Sequence, residues 1–193
     1  GSVLSVVYLI FTEGSSSSSG EAWMRTDLAQ EARRLARVLA RLAPEPEVFG
    51  LLALLELTAA RFPARVDAHG RPVLLEDQDR RRWDRSAIQR GQAALARAAA
   101  TGRGLGPYGL QASIAECHAV SVAVGETDWD RIVLLYDALR QVAPSPIVDL
   151  NRAVAVAMAS GPASGLQLVD EIAASEGLTD THLLPAVRAE MLA

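Results

Sequence analysis

Apolar positions recur at intervals of three and four residues along almost the whole chain, while strict apolar–polar alternation is scarce, so the pattern is helical. Residues 3–12 form a short apolar run that reads as a helix. The serine run between Gly14 and Gly20 reads as a flexible loop. Residues 1–20 are therefore expected to be a linker segment with a short apolar helix, and 21–193 a helical domain. Within it, 28–42 is amphipathic. Leu28, Ala32, Leu35, Val38, Leu39 and Leu42 mark the face expected to be buried, with Arg33, Arg34, Arg37 and Arg41 largely opposite. Pro44 and Pro46 separate it from 48–61, which is apolar nearly all round and should be buried until Pro63 ends it. Residues 65–75 break the pattern and read as a small β-hairpin turning at Ala68-His69-Gly70.

Helical spacing resumes at Asp79 and predicts one long helix to Ala100, with Trp83, Ile88, Ala94 and Leu95 in the core. A glycine-rich turn at 102–106 leads to a helix from Pro107 to about Val122. Thr127-Asp128 caps a helix over 129–142, and Pro144-Ser145-Pro146 turns the chain into 147–160. Two last helices are expected over 163–174 and 183–192. Trp129, Ile132, Val133 and Tyr136 match the first helix of a tetratricopeptide unit, and the small alanines of the following helix suit close pairing. The fold expected is thus all-α: an α-solenoid of tetratricopeptide-like helix pairs, with one short β-hairpin near 65–75.

With 193 residues, half of them hydrophobic, the chain can bury a substantial core. A formal net charge of −4 argues against its gripping nucleic acid directly. Every basic residue is arginine, which together with the abundant alanine reads as the codon bias of a GC-rich genome. A single cysteine, Cys117, excludes an internal disulfide and fits a reducing, cytoplasmic location. The apolar run at 3–12 is too short to span a bilayer, so no membrane association is expected. An apolar run that begins at residue 3 suggests a chain cut from a longer protein.

Candidate chemistry is sparse. His69, His118 and His182 lie in different elements without metal-ligand spacing, and Cys117 and His118 point to different helix faces. Asp67 is not followed by the oxygen ligands of a calcium loop, and the 102–106 turn lacks the lysine and preceding strand of a phosphate loop. The serine run lacks a nucleophile-elbow setting. No catalytic, cofactor or metal residues are assigned. The most informative stretch is 74–85, Leu-Leu-Glu-Asp-Gln-Asp-Arg-Arg-Arg-Trp-Asp-Arg. Charge concentrated beside a bulky aromatic must be paired or left wet while the ring is buried. One reading has Asp77 or Asp79 capping a helix that begins near Arg80, anchored by Trp83. The other makes the cluster a polar docking surface.

Several stretches together are similar to a known family. They are Val6-Val7-Tyr8-Leu9-Ile10-Phe11-Thr12-Glu13-Gly14, Glu47-Val48-Phe49-Gly50-Leu51-Leu52-Ala53-Leu54, the 74–85 segment, and Gly106-Pro107-Tyr108-Gly109-Leu110-Gln111-Ala112. Thr127-Asp128-Trp129, Leu135-Tyr136-Asp137-Ala138-Leu139, Pro144-Ser145-Pro146-Ile147-Val148 and Leu150-Asn151-Arg152-Ala153-Val154-Ala155 complete the set. The chain resembles the C-terminal tetratricopeptide-like extension of extracytoplasmic-function (ECF) RNA polymerase sigma factors, over nearly its whole length. It departs from the pattern at Thr12 and Ser15, where the family usually shows an asparagine and a tyrosine. The resemblance implies a non-enzymatic regulatory domain that controls transcription initiation. Its partners would be sigma regions two and four of the same full-length chain and core RNA polymerase, with promoter DNA reached only through the absent regions. Asp77, Asp79, Arg80, Trp83, Asp84 and Arg85 are the expected docking or architectural centre, with Trp83 as the buried anchor. The alternative is a stand-alone helical scaffold gripping an external peptide or protein partner in a groove lined by first helices, including Tyr136, Asn151 and Arg152, with Trp129 a further expected interaction or architectural residue. Apolar surface left at a solenoid end would also permit a homodimer.

Overall fold

A computed structural model describes residues 2–15, 25–174 and 183–192. Among these the fold is all-α, with nine α-helices arranged as a solenoid-like succession of helix pairs and no β-strand. The chain divides into two compact units, Gly1–Thr127 and Asp128–Ala193.

The first unit holds α1 (Ser2–Ser15), α2 (Thr26–Leu42), α3 (Pro46–Ala59), α4 (Arg85–Ala100) and α5 (Pro107–Val120). Helix α3 is its hub and packs against the other four. That follows from its sequence: ten of its residues are buried, on every side of the helix. Leu51, Leu55 and Leu57 are fully enclosed. Helix α1 sends Val7 and Phe11 into the same core, so the apolar run at 3–12 belongs to this unit's packing. Helices α3 and α5 come very close. A Cβ added to Gly50 would lie 2.6 Å from the backbone nitrogen of Gly109.

On α2 the buried face differs from the leucine face expected. Ala29, Ala32, Ala36 and Ala40 are the residues enclosed, while Leu42 is exposed. Small side chains let the helix axes approach, and Leu35 and Leu39 then flank the contact without sealing it.

Two further expectations give way to local hydrogen bonding. The segment at 65–75 does reverse direction, with Gly70 at φ 76°, but it closes with a single antiparallel bridge between Val66 and Pro72 and forms no paired strands. Pro72 has no N–H to donate, and the Asp67 carboxylate accepts from the backbone N–H groups of His69 and Arg71. The long helix expected from Asp79 to Ala100 is split. A single 3₁₀ turn covers Arg80–Arg82, Trp83 is extended, and α4 begins only at Arg85. Two aspartates cause this: Asp79 accepts from Arg81 N–H and Asp84 from Ala87 N–H, so each starts its own turn. The core positions Trp83, Ile88, Ala94 and Leu95 are all buried as expected.

The second unit holds α6 (Trp129–Val142), α7 (Pro146–Ser160), α8 (Pro162–Ala174) and α9 (Leu183–Leu192). Asp128 and Ser145 cap α6 and α7 by accepting from Arg131 N–H and Val148 N–H. Helix α7 packs on α6, α8 and α9, and its alanines Ala153 and Ala155 are buried. No helix among the described residues is long and apolar enough to cross a membrane.

Candidate functional site

The 74–85 segment forms a compact knot in the first unit. Trp83 is buried, and the Arg80 guanidinium lies over its ring, 4.7 Å from the centroid. Arg80 is itself almost enclosed. Its Nη1 donates to the carbonyl oxygens of His118 at 2.5 Å and Ser121 at 3.0 Å. A cation is thereby placed on the last carbonyls of α5, where the helix dipole favours it. Asp84 secures the other side: its N–H donates to the Ala60 carbonyl at the end of α3, while its carboxylate caps α4. Gln78, also buried, donates to the Val73 carbonyl. The knot therefore joins the ends of α3 and α5 to the start of α4.

The remaining side chains of the segment face water. Glu76, Asp77, Asp79, Arg81, Arg82 and Arg85 are exposed. Asp79 and Arg81 pair at 2.9 Å, and the Arg81 contacts hold the Asp79 carboxyl below the usual carboxylate range. Of the two sequence readings, capping applies to Asp79 and Asp84 but not to Asp77, and burial applies to Trp83 and Arg80. Arg80 does not reach outward, because the open carbonyls of α5 claim it.

Around this knot sits a cationic environment. Burial, reinforced by Arg61 and Arg80, pushes His118 down to about 4 from the ordinary 6.5. Burial and the neighbouring Arg65 and Arg80 guanidiniums lower Arg61 to about 10. Desolvation alone lowers Arg65 and Arg80.

A second cluster went unnoticed in the sequence. Glu56 on α3 is fully buried, and its carboxylate accepts from Arg33 and Arg37 of α2 and from Arg90 of α4. The Arg33 contact measures 2.6 Å and the Arg90 contact 3.2 Å. The available signal was a lone acid inside the apolar run 51–57, which demands buried partners. Glu47 does comparable work at the other end of α3, accepting from the N–H groups of Tyr108 and Gly109 at the start of α5.

In the second unit a cavity of about 260 Å³ is lined by Arg140, Asp149, Arg152, Leu168, Glu171 and Ile172. Arg152 pairs with Asp137 at 2.6 Å, and Arg140 with Asp149. Of the three groove residues expected, Tyr136, Asn151 and Arg152, only Arg152 lines this cavity. Asn151 is exposed, and Trp129 and Tyr136 are half-buried, with burial raising the Tyr136 phenol. The first unit has an apolar groove of about 360 Å³ between α1 and α2, lined by Val3, Val6, Val7, Ile10, Leu35, Val38 and Leu39. Among the described residues no group of three or more His, Cys, Asp and Glu side chains could hold a metal ion. Cys117 is buried within α5, and His182 lies outside the described residues.

These features define an all-α domain of capped, closely paired helices. Residues 1–99 match the family of unknown function DUF6596, and the chain belongs to that family. It is 48% identical over 171 residues to the uncharacterized protein R00370 of Rhizobium meliloti (strain 1021). That match covers 88% of this chain and 40% of the relative, so the chain spans about two fifths of the length of the curated relative it matches. No solved structure matches it.

Proposed function

We propose that this chain is the regulatory C-terminal domain of an ECF sigma factor, a non-catalytic module that controls transcription initiation in the cytoplasm. It would do so through contacts with sigma regions two and four of the same full-length protein or with core RNA polymerase. The observation that carries the reading is the two-sided 74–85 knot. Arg80 and Trp83 fix its backbone from inside, so that Asp77, Asp79, Arg81, Arg82 and Arg85 project as a pre-organised mixed-charge surface. The sequence resemblance supports it, and the relative R00370 extends well beyond the matched part, as such an arrangement requires.

The test is a calorimetric titration of the chain into a fragment carrying sigma regions two and four, and into core polymerase. The control is a triple variant, Arg81→Ala, Arg82→Ala and Arg85→Ala, whose thermal unfolding stays at the wild-type value. Saturable binding weakened at least about tenfold in the variant, a loss of about 1.4 kcal/mol, is the expected result. Absence of binding to both partners overturns the reading. In that case the polar cavity around Arg140, Asp149 and Arg152 favours the second reading, a scaffold for an external charged peptide.

A further inference from the structure

Glu56 is shared by more cations than one carboxylate can neutralise. Its Oε1 accepts from Nε (2.9 Å) and Nη2 of Arg37, and its Oε2 from Nη2 of Arg33 (2.6 Å) and Nε of Arg90 (3.2 Å). Four donors fill the lone-pair sites of a carboxylate, so the other N–H groups of these guanidiniums must find acceptors elsewhere. One of them, the Nε of Arg33, is buried without a hydrogen-bond partner. The next acid, Asp84, stands 3.8 Å from Arg90. The Arg37 and Arg90 side chains are 42% and 44% exposed, so their outward N–H groups face water. Phe49 precedes Glu56 by two turns of α3 and lies on the same face of that helix, about 10 Å away. There the exposed Arg97 guanidinium lies over the Phe49 ring, 4.1 Å from its centroid. Helices α2 and α4 both pack on α3, so Arg33 and Arg37 reach this face from one side and Arg90 and Arg97 from the other. Four guanidiniums thus line one seam against two carboxylates, in a chain whose net charge is −4.

We propose that the arginine seam over α3, between α2 and α4, is a docking surface for an acidic segment of another protein chain, with carboxylates spaced about 10 Å apart to match the two turns from Phe49 to Glu56. The outward forks of Arg37, Arg90 and Arg97 suit carboxylate oxygens, and Glu56 holds the first two in place before the partner arrives. The complementarity is local. A net negative chain repels a long phosphate backbone, whereas a short acidic segment meets the seam alone. This inference does not rest on the sigma-factor reading.

Fluorescence anisotropy of a fluorescein-labelled decaglutamate peptide, titrated with the full chain, tests it. Saturable binding that weakens with added salt is the expected result. Affinity should fall about five- to tenfold in the double variant Arg90→Gln, Arg97→Gln, and less than about twofold in Arg34→Gln, Arg71→Gln, which removes the same charge from exposed pairs outside the seam. Equal losses in the two double variants would mean that net charge alone matters, and would overturn the proposal, as would the absence of saturable binding. Should Arg90→Gln, Arg97→Gln fail to fold, Arg97→Glu decides, since it leaves every donor of Glu56 in place: weakened binding supports the seam, and an unchanged affinity overturns it. Competition identifies the class of partner. Displacement of the labelled peptide by unlabelled decaglutamate in preference to a deoxythymidylate decamer supports a protein chain. The reverse preference marks a nucleic-acid surface and overturns the assignment.

Discussion

Glu56 in the first unit and Asp137 in the second are both acids that bind arginines of adjacent helices, yet their surroundings are opposite. The Glu56 side chain is 1% exposed and accepts from three guanidiniums contributed by α2 and α4. Asp137 is 43% exposed and pairs with one, Arg152 of α7. In the first unit, removing the acid strands several cations that are partly cut off from water. In the second, water takes the place of the lost partner. The first unit is therefore held together by charge as well as by its leucines, while the second relies on packing and keeps its ion pairs at the surface.

The largest expected effect follows directly. Glu56→Ala should destabilise the first unit by about 3–5 kcal/mol, the usual cost of breaking a buried ion pair from one side. Urea unfolding followed by the fluorescence of Trp83, in a variant lacking the other tryptophans, measures it. A loss below about 1 kcal/mol would erase the distinction between the units.

Glu56 also shows where sequence reading stops. The helices were legible nearly to the residue where proline or aspartate punctuates the chain: α6 begins at Trp129 after its Asp128 cap, and α9 occupies the range expected. Two aspartates within one apparent helix, Asp79 and Asp84, hid a break, because either can cap and periodicity alone continues across them. On the expected face of α2, Ala32 is enclosed while the leucines are only partly buried and Leu42 is exposed, because close helix packing selects the smaller residue. The anchoring role of Trp83 was legible from its composition. The inward role of Arg80 was not, since it depends on the end of α5, far away in sequence.

Packing should not separate the units in the same way. Gly50→Ala would place a Cβ 2.6 Å from the Gly109 nitrogen in the first unit. Gly165→Ala would place one 2.5 Å from the Ala157 Cβ and 2.9 Å from the Ala153 carbonyl oxygen in the second. Each substitution should cost about 1–3 kcal/mol, through the same forced separation of packed helices. Equal losses would confine the contrast between units to electrostatics. A much smaller loss at Gly165 would extend it to packing rigidity.

Acid should also act on the first unit through His118. Its folded value of about 4 lies below the ordinary 6.5, so between those limits the unfolded chain binds more protons than the folded one. Stability attributable to His118 is then complete above about pH 6.5 and declines as the pH falls towards 4. Urea midpoints recorded across this window should drop in the wild type more steeply than in His118→Gln, which keeps the backbone carbonyl that Arg80 needs. Identical pH profiles would show that the imidazole is as easily charged in the folded chain as in the unfolded one.

The smallest effect belongs to the counterpart of Glu56. Asp137→Ala removes the partner of Arg152, whose side chain is 21% exposed and borders the open polar cavity. Water and Asp149, which lines the same cavity, can both accept from the released guanidinium, so the expected loss is about 0–1 kcal/mol. It should shrink further at high salt, where exposed pairs are screened. Trp129 fluorescence reports unfolding of this unit. A loss approaching that of Glu56→Ala would mean that the Asp137–Arg152 pair is shielded from water despite its exposure, and that the second unit, too, depends on internal charge.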